Sequence, residues 1–115
     1  MAIHGVSNIP HVEVVVPAGN SQATAQPIPK NASPGMVLAT GTMVGGILLP
    51  IASKGKTFAI KNTATLDEVL NVYPQVGSRI NVLGTNVALQ MQPQTGTTFM
   101  ADANNTWHTI PVVPS

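Results

Sequence analysis

Apolar and polar residues alternate along most of the second half of this chain, and turn residues interrupt the alternation at short, regular intervals. The pattern is clearest from residue 47 to residue 111, where charged residues are scarce. Alternation with a period of two places successive apolar side chains on the same face of an extended strand. Short strands separated by turn residues at a spacing of about 8–12 residues are typical of an all-β domain.

The alternation predicts a strand near the N-terminus, over residues 11–16, and eight later strands. These eight are expected near residues 36–40, 46–49, 56–61, 69–73, 79–82, 86–91, 96–101 and 105–110. The segments between them are rich in Gly, Pro, Asn and Asp, which favour tight turns and therefore antiparallel neighbours. The expected fold is all-β, a small antiparallel β-sandwich or barrel with jelly-roll-like pairing and an extended N-terminal arm.

The core of this domain must be built mainly from aliphatic side chains, because aromatic residues make up only 3% of the chain. Apolar residues that lie two apart in the expected strands, together with two aromatic residues, form the predicted core. They are Phe58, Ile60, Leu70, Val72, Ile80, Val82, Val87, Leu89, Met91, Phe99 and Trp107. Burial of Trp107 as an anchor is favoured over an exposed indole that stacks on a sugar.

The chain divides into two parts of different composition. Residues 1–35 contain five of the ten prolines and a single strand pattern, and proline favours extended chain and edge positions. We predict an extended Pro-rich arm with one edge strand over residues 1–35 and a β-domain over residues 36–115. The strand over residues 11–16 either completes the sheet of its own domain or adds to a sheet of a partner.

The charge content disfavours several classes of partner. Charged residues are 8% of the chain, against about 25% in an average soluble domain, so part of the surface is expected to contact another protein. The five basic residues are spread singly and the net charge is +1, which argues against nucleic-acid binding. The longest apolar stretch, residues 43–52, is far shorter than the ~20 residues of a transmembrane helix, so no membrane contact is expected. No signal-peptide pattern is visible, so we expect synthesis in a cytoplasm.

The sequence offers little that could carry chemistry. His4, His11 and Glu13 are the only local cluster of possible metal ligands, and ordinary exposed arm residues are favoured over a metal site there. The glycine-rich segment at residues 41–46 lacks the Gly-Lys-Ser/Thr ending of a phosphate-binding loop, so it is interpreted as a turn. No hydroxyl–histidine–carboxylate set can be assigned. We therefore expect no catalytic residue, no metal and no cofactor, and a protein that is not an enzyme.

A longer pattern in the second part of the chain is distinctive. Its clearest features are Asn71-Val72-Tyr73-Pro74, then Gly77 and Ile80-Asn81, and a closing Trp107-His108-Thr109-Ile110; it also includes Leu49-Pro50, Gly55-Lys56-Thr57-Phe58-Ala59-Ile60-Lys61-Asn62 and Phe99. The pattern resembles a β-domain that recurs in small virion proteins of tailed bacteriophages. It covers roughly the last two-thirds of the chain, and its residues look like determinants of a fold rather than of an active site.

In such phages this domain occurs in capsid decoration (cement) proteins and as a module of tail fibres and other tail proteins. The resemblance implies a structural virion protein that forms a homotrimer on the outer capsid surface and stabilises the capsid by bridging major capsid protein subunits. The alternative is a tail-fibre or tail-associated module that binds a receptor or a carbohydrate. The sequence shows no coiled-coil heptads and no repeats of a fibre shaft, which favours decoration.

The arm would give a decoration protein its reach over neighbouring subunits. An extended segment can bury a large area against another chain although it contributes few residues to a core. The apolar arm positions are therefore the predicted contacts with the major capsid protein. They are Ile3, Val6, Ile9, Val12, Val14 and Val16.

Overall fold

The structure is a computed structural model that describes residues 11–29, 35–40, 45–64, 68–102 and 105–111. Ten strands and no helix lie in these ranges, which confirms the all-β prediction. The strands are β1 His11–Val15, β2 Gln26–Pro27, β3 Gly35–Ala39, β4 Gly45–Leu48, β5 Thr57–Asn62, β6 Leu70–Tyr73, β7 Arg79–Ile80, β8 Leu89–Met91, β9 Gly96–Ala101 and β10 Thr106–Ile110.

The strands form two sheets, and the chain crosses from one sheet to the other after each of its first eight strands. The six-stranded sheet has the order β1-β3-β5-β9-β10-β7, and the four-stranded sheet has the order β2-β4-β6-β8. Strands β1, β3 and β5 are parallel neighbours, and so are β2, β4 and β6. His11 pairs with Gly35, and Met36 pairs with Ala59, so one turn of the coil takes roughly 24 residues. The fold is a β-solenoid of about three turns.

This architecture shows that the predicted antiparallel sandwich or barrel, with its jelly-roll-like pairing, is wrong. The strands are largely where the alternation puts them, but consecutive strands up to β6 lie in different sheets. The turn-rich segments between them are therefore corners of a coil and not hairpin loops. The strand predicted over residues 11–16 is present as β1, and it pairs with β3 of its own sheet. Strand β2 has only two residues, one of them proline, and the pattern did not predict it.

The last strands reverse the direction of the chain and close one end of the coil. β8 runs antiparallel to β6, β9 runs antiparallel to β5, and β10 is antiparallel to β9. Strand β7 ends at Ile80 because Asn81 adopts a left-handed conformation with φ of 51°. Beyond Ile80, the side-chain amide of Asn81 bonds to β10 where a longer β7 would use its backbone. The Asn81 Oδ1 accepts from the Thr109 N–H at 2.9 Å, and its Nδ2 donates to Thr109 Oγ1 at 2.8 Å.

The core lies between the two sheets, and three aromatic rings occupy its C-terminal half. The Trp107 ring stacks on Phe58 with a centroid distance of 5.4 Å, and the Phe99 ring meets Phe58 edge-on at 6.5 Å. Trp107 is 0% exposed, which confirms its predicted role as an anchor. The other predicted core residues are also buried, apart from two valines.

Val82 and Val87 are exposed, so their assignment to the core is wrong. Val82 is 96% exposed and Val87 is 45% exposed. The alternation that places Ile80 inside ends at Asn81, because a left-handed residue breaks the extended backbone that carries the period of two. The chain between Asn81 and strand β8 is a series of turns, in which the spacing of apolar residues no longer reports burial.

Gly46 in strand β4 allows the Tyr73 ring to pack on its backbone. A Cβ atom at residue 46 would lie 2.6 Å from Tyr73 Cε2. We expect Gly46→Ala to lower the free energy of unfolding by about 1–3 kcal/mol, because strand β6 or the ring must move. Gly84→Ala is the matched control, since its Cβ would meet only Val87 Cγ2 at an ordinary 3.4 Å. Equal urea midpoints for the two variants, measured by circular dichroism, would contradict the close packing of Tyr73.

Candidate functional site

The outer face of the six-stranded sheet carries a row of side chains across five strands. Pairing places these residues side by side in the order Val12, Met36, Ala59, Thr98 and Ile110. They alternate with residues that point into the core, and so they point away from it. Four of the five are apolar, although this is the solvent side of the sheet. We use the name outer face for this first row together with a second row, Val14, Leu38, Lys61 and Gly96, which lies beside it.

Three residues of the first row are exposed, namely the two at its ends and the neighbour of Val12 in β3, whereas Ala59 and Thr98 are partly buried. Val12 is 59% exposed, Ile110 is 59% exposed and Met36 is 40% exposed. Single exposed apolar residues are ordinary, but neighbouring ones that form a continuous patch usually mark a surface that contacts another molecule. The row is therefore a candidate interaction surface.

A second row lies beside the first and adds the only formal charge within the outer face. It consists of Val14, Leu38, Lys61 and Gly96, which pair in that order across β1, β3, β5 and β9. Val14 is exposed and Leu38 is partly buried. The long stem of a lysine can lie along apolar surface while its ammonium group stays in water. Lys61 thus need not interrupt the apolar character of the face.

Polar groups border the outer face at the β10 side. His108 Nε2 lies 2.7 Å from Asp102 Oδ2, and both side chains are exposed. The Arg79 Nε group donates to Thr106 Oγ1 at 3.4 Å. An apolar centre with a polar border is the usual anatomy of a protein–protein contact.

Three of the six predicted contact residues lie on this side of the molecule. Val12 and Val14 belong to the outer face, and Val16 directly follows β1 and is also exposed. Ile3, Val6 and Ile9 fall outside the described residues, so the structure does not bring them to any site. The prediction that these valines contact a partner stays a prediction.

Sequence reasoning missed Met36 and Ile110 as candidate contacts. Both lie in predicted strands, but each was assigned only to secondary structure. The signal that could have identified them is apolar character at both alternating positions of a strand, as in the sequence Gly-Met-Val-Leu-Ala of β3. A strand with one solvated face normally alternates apolar with polar residues. A strand with two apolar faces therefore marks its outer face as a candidate contact surface.

A metal site in the described part of the chain would need several ligand side chains that lie close together. No three His, Asp or Glu side chains come together there as potential metal ligands. An open groove at a corner of the coil is lined mainly by prolines, Ile28 and Ile51, and its Gln75 amide is already committed to the Leu49 carbonyl oxygen at 3.0 Å. No helix in the described ranges is long and apolar enough to cross a membrane.

Comparison with known proteins adds no relative from which a function could be transferred. No protein-family model matches the chain, and no curated protein sequence matches it at a significant level.

Proposed function

We propose that this chain is a structural virion protein that decorates the outer capsid surface of a tailed bacteriophage and stabilises the shell by bridging major capsid protein subunits. The observation that carries the proposal is the outer face, because four of the five residues in its first row are apolar and three of these are exposed, in a chain with charged residues at only 8%. The resemblance of the second part of the chain to small phage virion proteins supports the choice of partner.

A broad sheet face suits a protein whose task is to hold other proteins together. Apolar area removed from water contributes about 25 cal/mol per Å², and a specific interface buries roughly 1,200–2,000 Å² in total. The backbone hydrogen bonds of the sheet hold the strands in place, so little backbone freedom is lost when the face is covered. A contact that spans the seam between two subunits resists their separation, because the buried area is lost when they move apart.

The alternative function, binding of a host carbohydrate by a tail module, needs an exposed aromatic ring as a stacking platform. Trp107 is buried against Phe58. Tyr73 is partly buried and packs on Gly46. Neither ring therefore favours carbohydrate binding, and the proposal rests on protein–protein contact.

The proposal is tested by co-sedimentation of the purified protein with undecorated capsids of the phage that encodes it. We expect saturable binding to capsids and none to free capsid subunits. Met36→Lys and Ile110→Lys each place an ammonium group in the apolar row, and burial of an unpaired charge is costly. Each variant is expected to bind at least tenfold more weakly, which corresponds to about 1.4 kcal/mol.

Val76→Lys is the matched control, because it adds the same charge at a residue that is 78% exposed and lies in the turn after β6, a strand of the four-stranded sheet. It should bind capsids like the unmodified protein. If both outer-face variants bind as tightly as the control, the contact lies elsewhere on the molecule. If the unmodified protein does not bind capsids, decoration is the wrong function.

A further inference from the structure

Among the residues that the structure describes, antiparallel strands cover the C-terminal end of the coil, and β1 lies at the edge of its sheet at the opposite end. At the C-terminal end, antiparallel strands β8 to β10 cover the last turn, and the outermost strands there, β7 and β8, have only two and three residues. At the opposite end, β1 has five residues and pairs with β3 on one side. No strand of the described ranges pairs with its other side. β1 is therefore the longest free edge among these strands.

The backbone groups on this free edge can be assigned from the pairing of β1. The Val15 carbonyl oxygen accepts from the Thr40 N–H at 3.0 Å, so Val15 directs its backbone groups toward β3. Because successive residues of a strand direct these groups to opposite sides, the N–H and C=O groups of Val12 and Val14 point to the free edge. An apolar edge with unpaired donors and acceptors is a template for another strand.

We propose that the free edge of β1 pairs with the same edge of a second copy of this chain. The two strands run antiparallel, and Val14 lies opposite Val14 of the second copy on a two-fold axis. This isologous contact closes on itself, as in most homodimers. A head-to-tail contact would have to use β7, β8 or β2, each of which offers three residues at most.

The charge pattern of β1 selects this register. With the axis at Val14, residues 12–16 pair along their whole length, and Glu13 lies opposite Val15 of the second copy. An axis at Glu13 would place two carboxylates directly opposite each other, which is destabilising. The charge pattern therefore favours an axis at Val14 over an axis at Glu13.

The pairing also joins the two six-stranded sheets into one continuous sheet, so the apolar rows of both copies become one surface. This two-fold pair is an alternative to the homotrimer that the resemblance implies, which stays a prediction. The proposed pairing of two copies does not depend on the capsid partner, because it uses the backbone edge of β1 and leaves the outer face uncovered.

Disulfide trapping tests both the contact and its register, because the 115 residues of the chain include no cysteine. In a hydrogen-bonded antiparallel pair the opposed Cα atoms lie about 5.5 Å apart, within the range of roughly 4.4–6.8 Å that a disulfide bridges. Val14→Cys should therefore form a disulfide-linked dimer in most chains under mild oxidation. Val12→Cys should give at least tenfold less dimer alone, because four residues separate it from its own copy along the strand, or roughly 14 Å. Mixing Val12→Cys with Val16→Cys should restore linkage.

Val82→Cys is the control for random collision, as its side chain is exposed away from β1. Equal linkage by Val14→Cys, Val12→Cys and Val82→Cys would overturn the proposal. So would a full-length protein that stays monomeric in sedimentation equilibrium and gives no Val14→Cys dimer, which is the result expected if residues 1–10 or another protein occupy the edge.

A second variant separates edge pairing from any other self-association. Val14 is 61% exposed, so Val14→Lys leaves the core intact while it places two ammonium groups together on the axis. We expect the dimer dissociation constant to rise at least tenfold for Val14→Lys and to stay unchanged for Val82→Lys. A dimer that both variants leave equally strong would show that another surface forms it.

Discussion

Replacing Trp107 with alanine is expected to lower the free energy of unfolding by about 3–5 kcal/mol, the usual cost of removing a large aromatic side chain from a packed core. The indole is 0% exposed and stacks on Phe58, so its loss leaves a cavity between the two sheets. A small domain is stable by only about 5–15 kcal/mol. The variant should therefore be unfolded or close to unfolding at physiological temperature.

The measurement is urea unfolding followed by far-ultraviolet circular dichroism, because Trp107 is the only tryptophan and its fluorescence disappears with it. Trp107→Phe should cost clearly less, for two reasons. A phenyl ring keeps an aromatic contact with Phe58, and the change removes the Nε1 group, which is buried and has no hydrogen-bond partner within the described structure. Equal costs for alanine and phenylalanine would mean that the ring stack contributes little.

Replacing Asn62 with aspartate is expected to cost about 2–4 kcal/mol at neutral pH, although the two side chains have nearly the same shape. Asn62 is 4% exposed. Its Nδ2 group donates to the Glu68 and Met91 carbonyl oxygens, both at 3.0 Å, and its Oδ1 accepts from the Ala64 N–H at 3.1 Å. A carboxylate would lose both donors and face two carbonyl oxygens.

Asn86→Asp is the control, since the same chemical change there should be nearly neutral. Asn86 Oδ1 only accepts, from the Gly77 N–H at 2.7 Å and from Gln22 Nε2 at 3.3 Å, and a carboxylate oxygen can do the same in solvent. Thermal melts of both variants provide the comparison. If Asn62→Asp melts no lower than Asn86→Asp, the buried amide does not hold the end of β5 to β8.

The period of two was a reliable guide to where strands lie and which side chains they bury. It placed Phe58 and Ile60, Leu70 and Val72, and Leu89 and Met91 in the core, because within a regular strand the parity of a residue decides its face. It was wrong at Val82, where Asn81 breaks the extended backbone. A left-handed asparagine is compatible with many turn sequences, and nothing local distinguishes this one.

The pairing of the strands could not be obtained from the same pattern. Alternation identifies a face but not the strand that lies beside it, and in this fold the parallel neighbour is roughly 24 residues away. Residues that stack from turn to turn differ in size and polarity: Val15 lies beside Ala39, and Ala39 beside Asn62. The structure therefore repeats every turn, but the amino-acid sequence does not. The turn residues at the corners of the coil are also of the same types as those found in hairpin loops.

Only part of the outer face could be predicted from the sequence, for a related reason. Val12, Val14 and Val16 attracted attention because three valines alternate in a short segment, which is a local signal. Ala59 and Ile110 join Val12 in one row only because three distant segments pair in a particular register. A surface assembled from separate strands becomes visible only when their neighbours are known.

The order of the strands also bears on how the protein is made on the ribosome. Each parallel turn up to β6 pairs with strands that have already emerged, so a nascent chain can coil as it is synthesised. Strand β5 sits in the middle of its sheet, however, and its partner β9 is translated much later. Until Phe99 and Trp107 arrive, Phe58 has neither of its aromatic neighbours. Chains released early by a stop codon or a stalled ribosome are thus expected to expose Phe58 and to be recognised by chaperones or proteases.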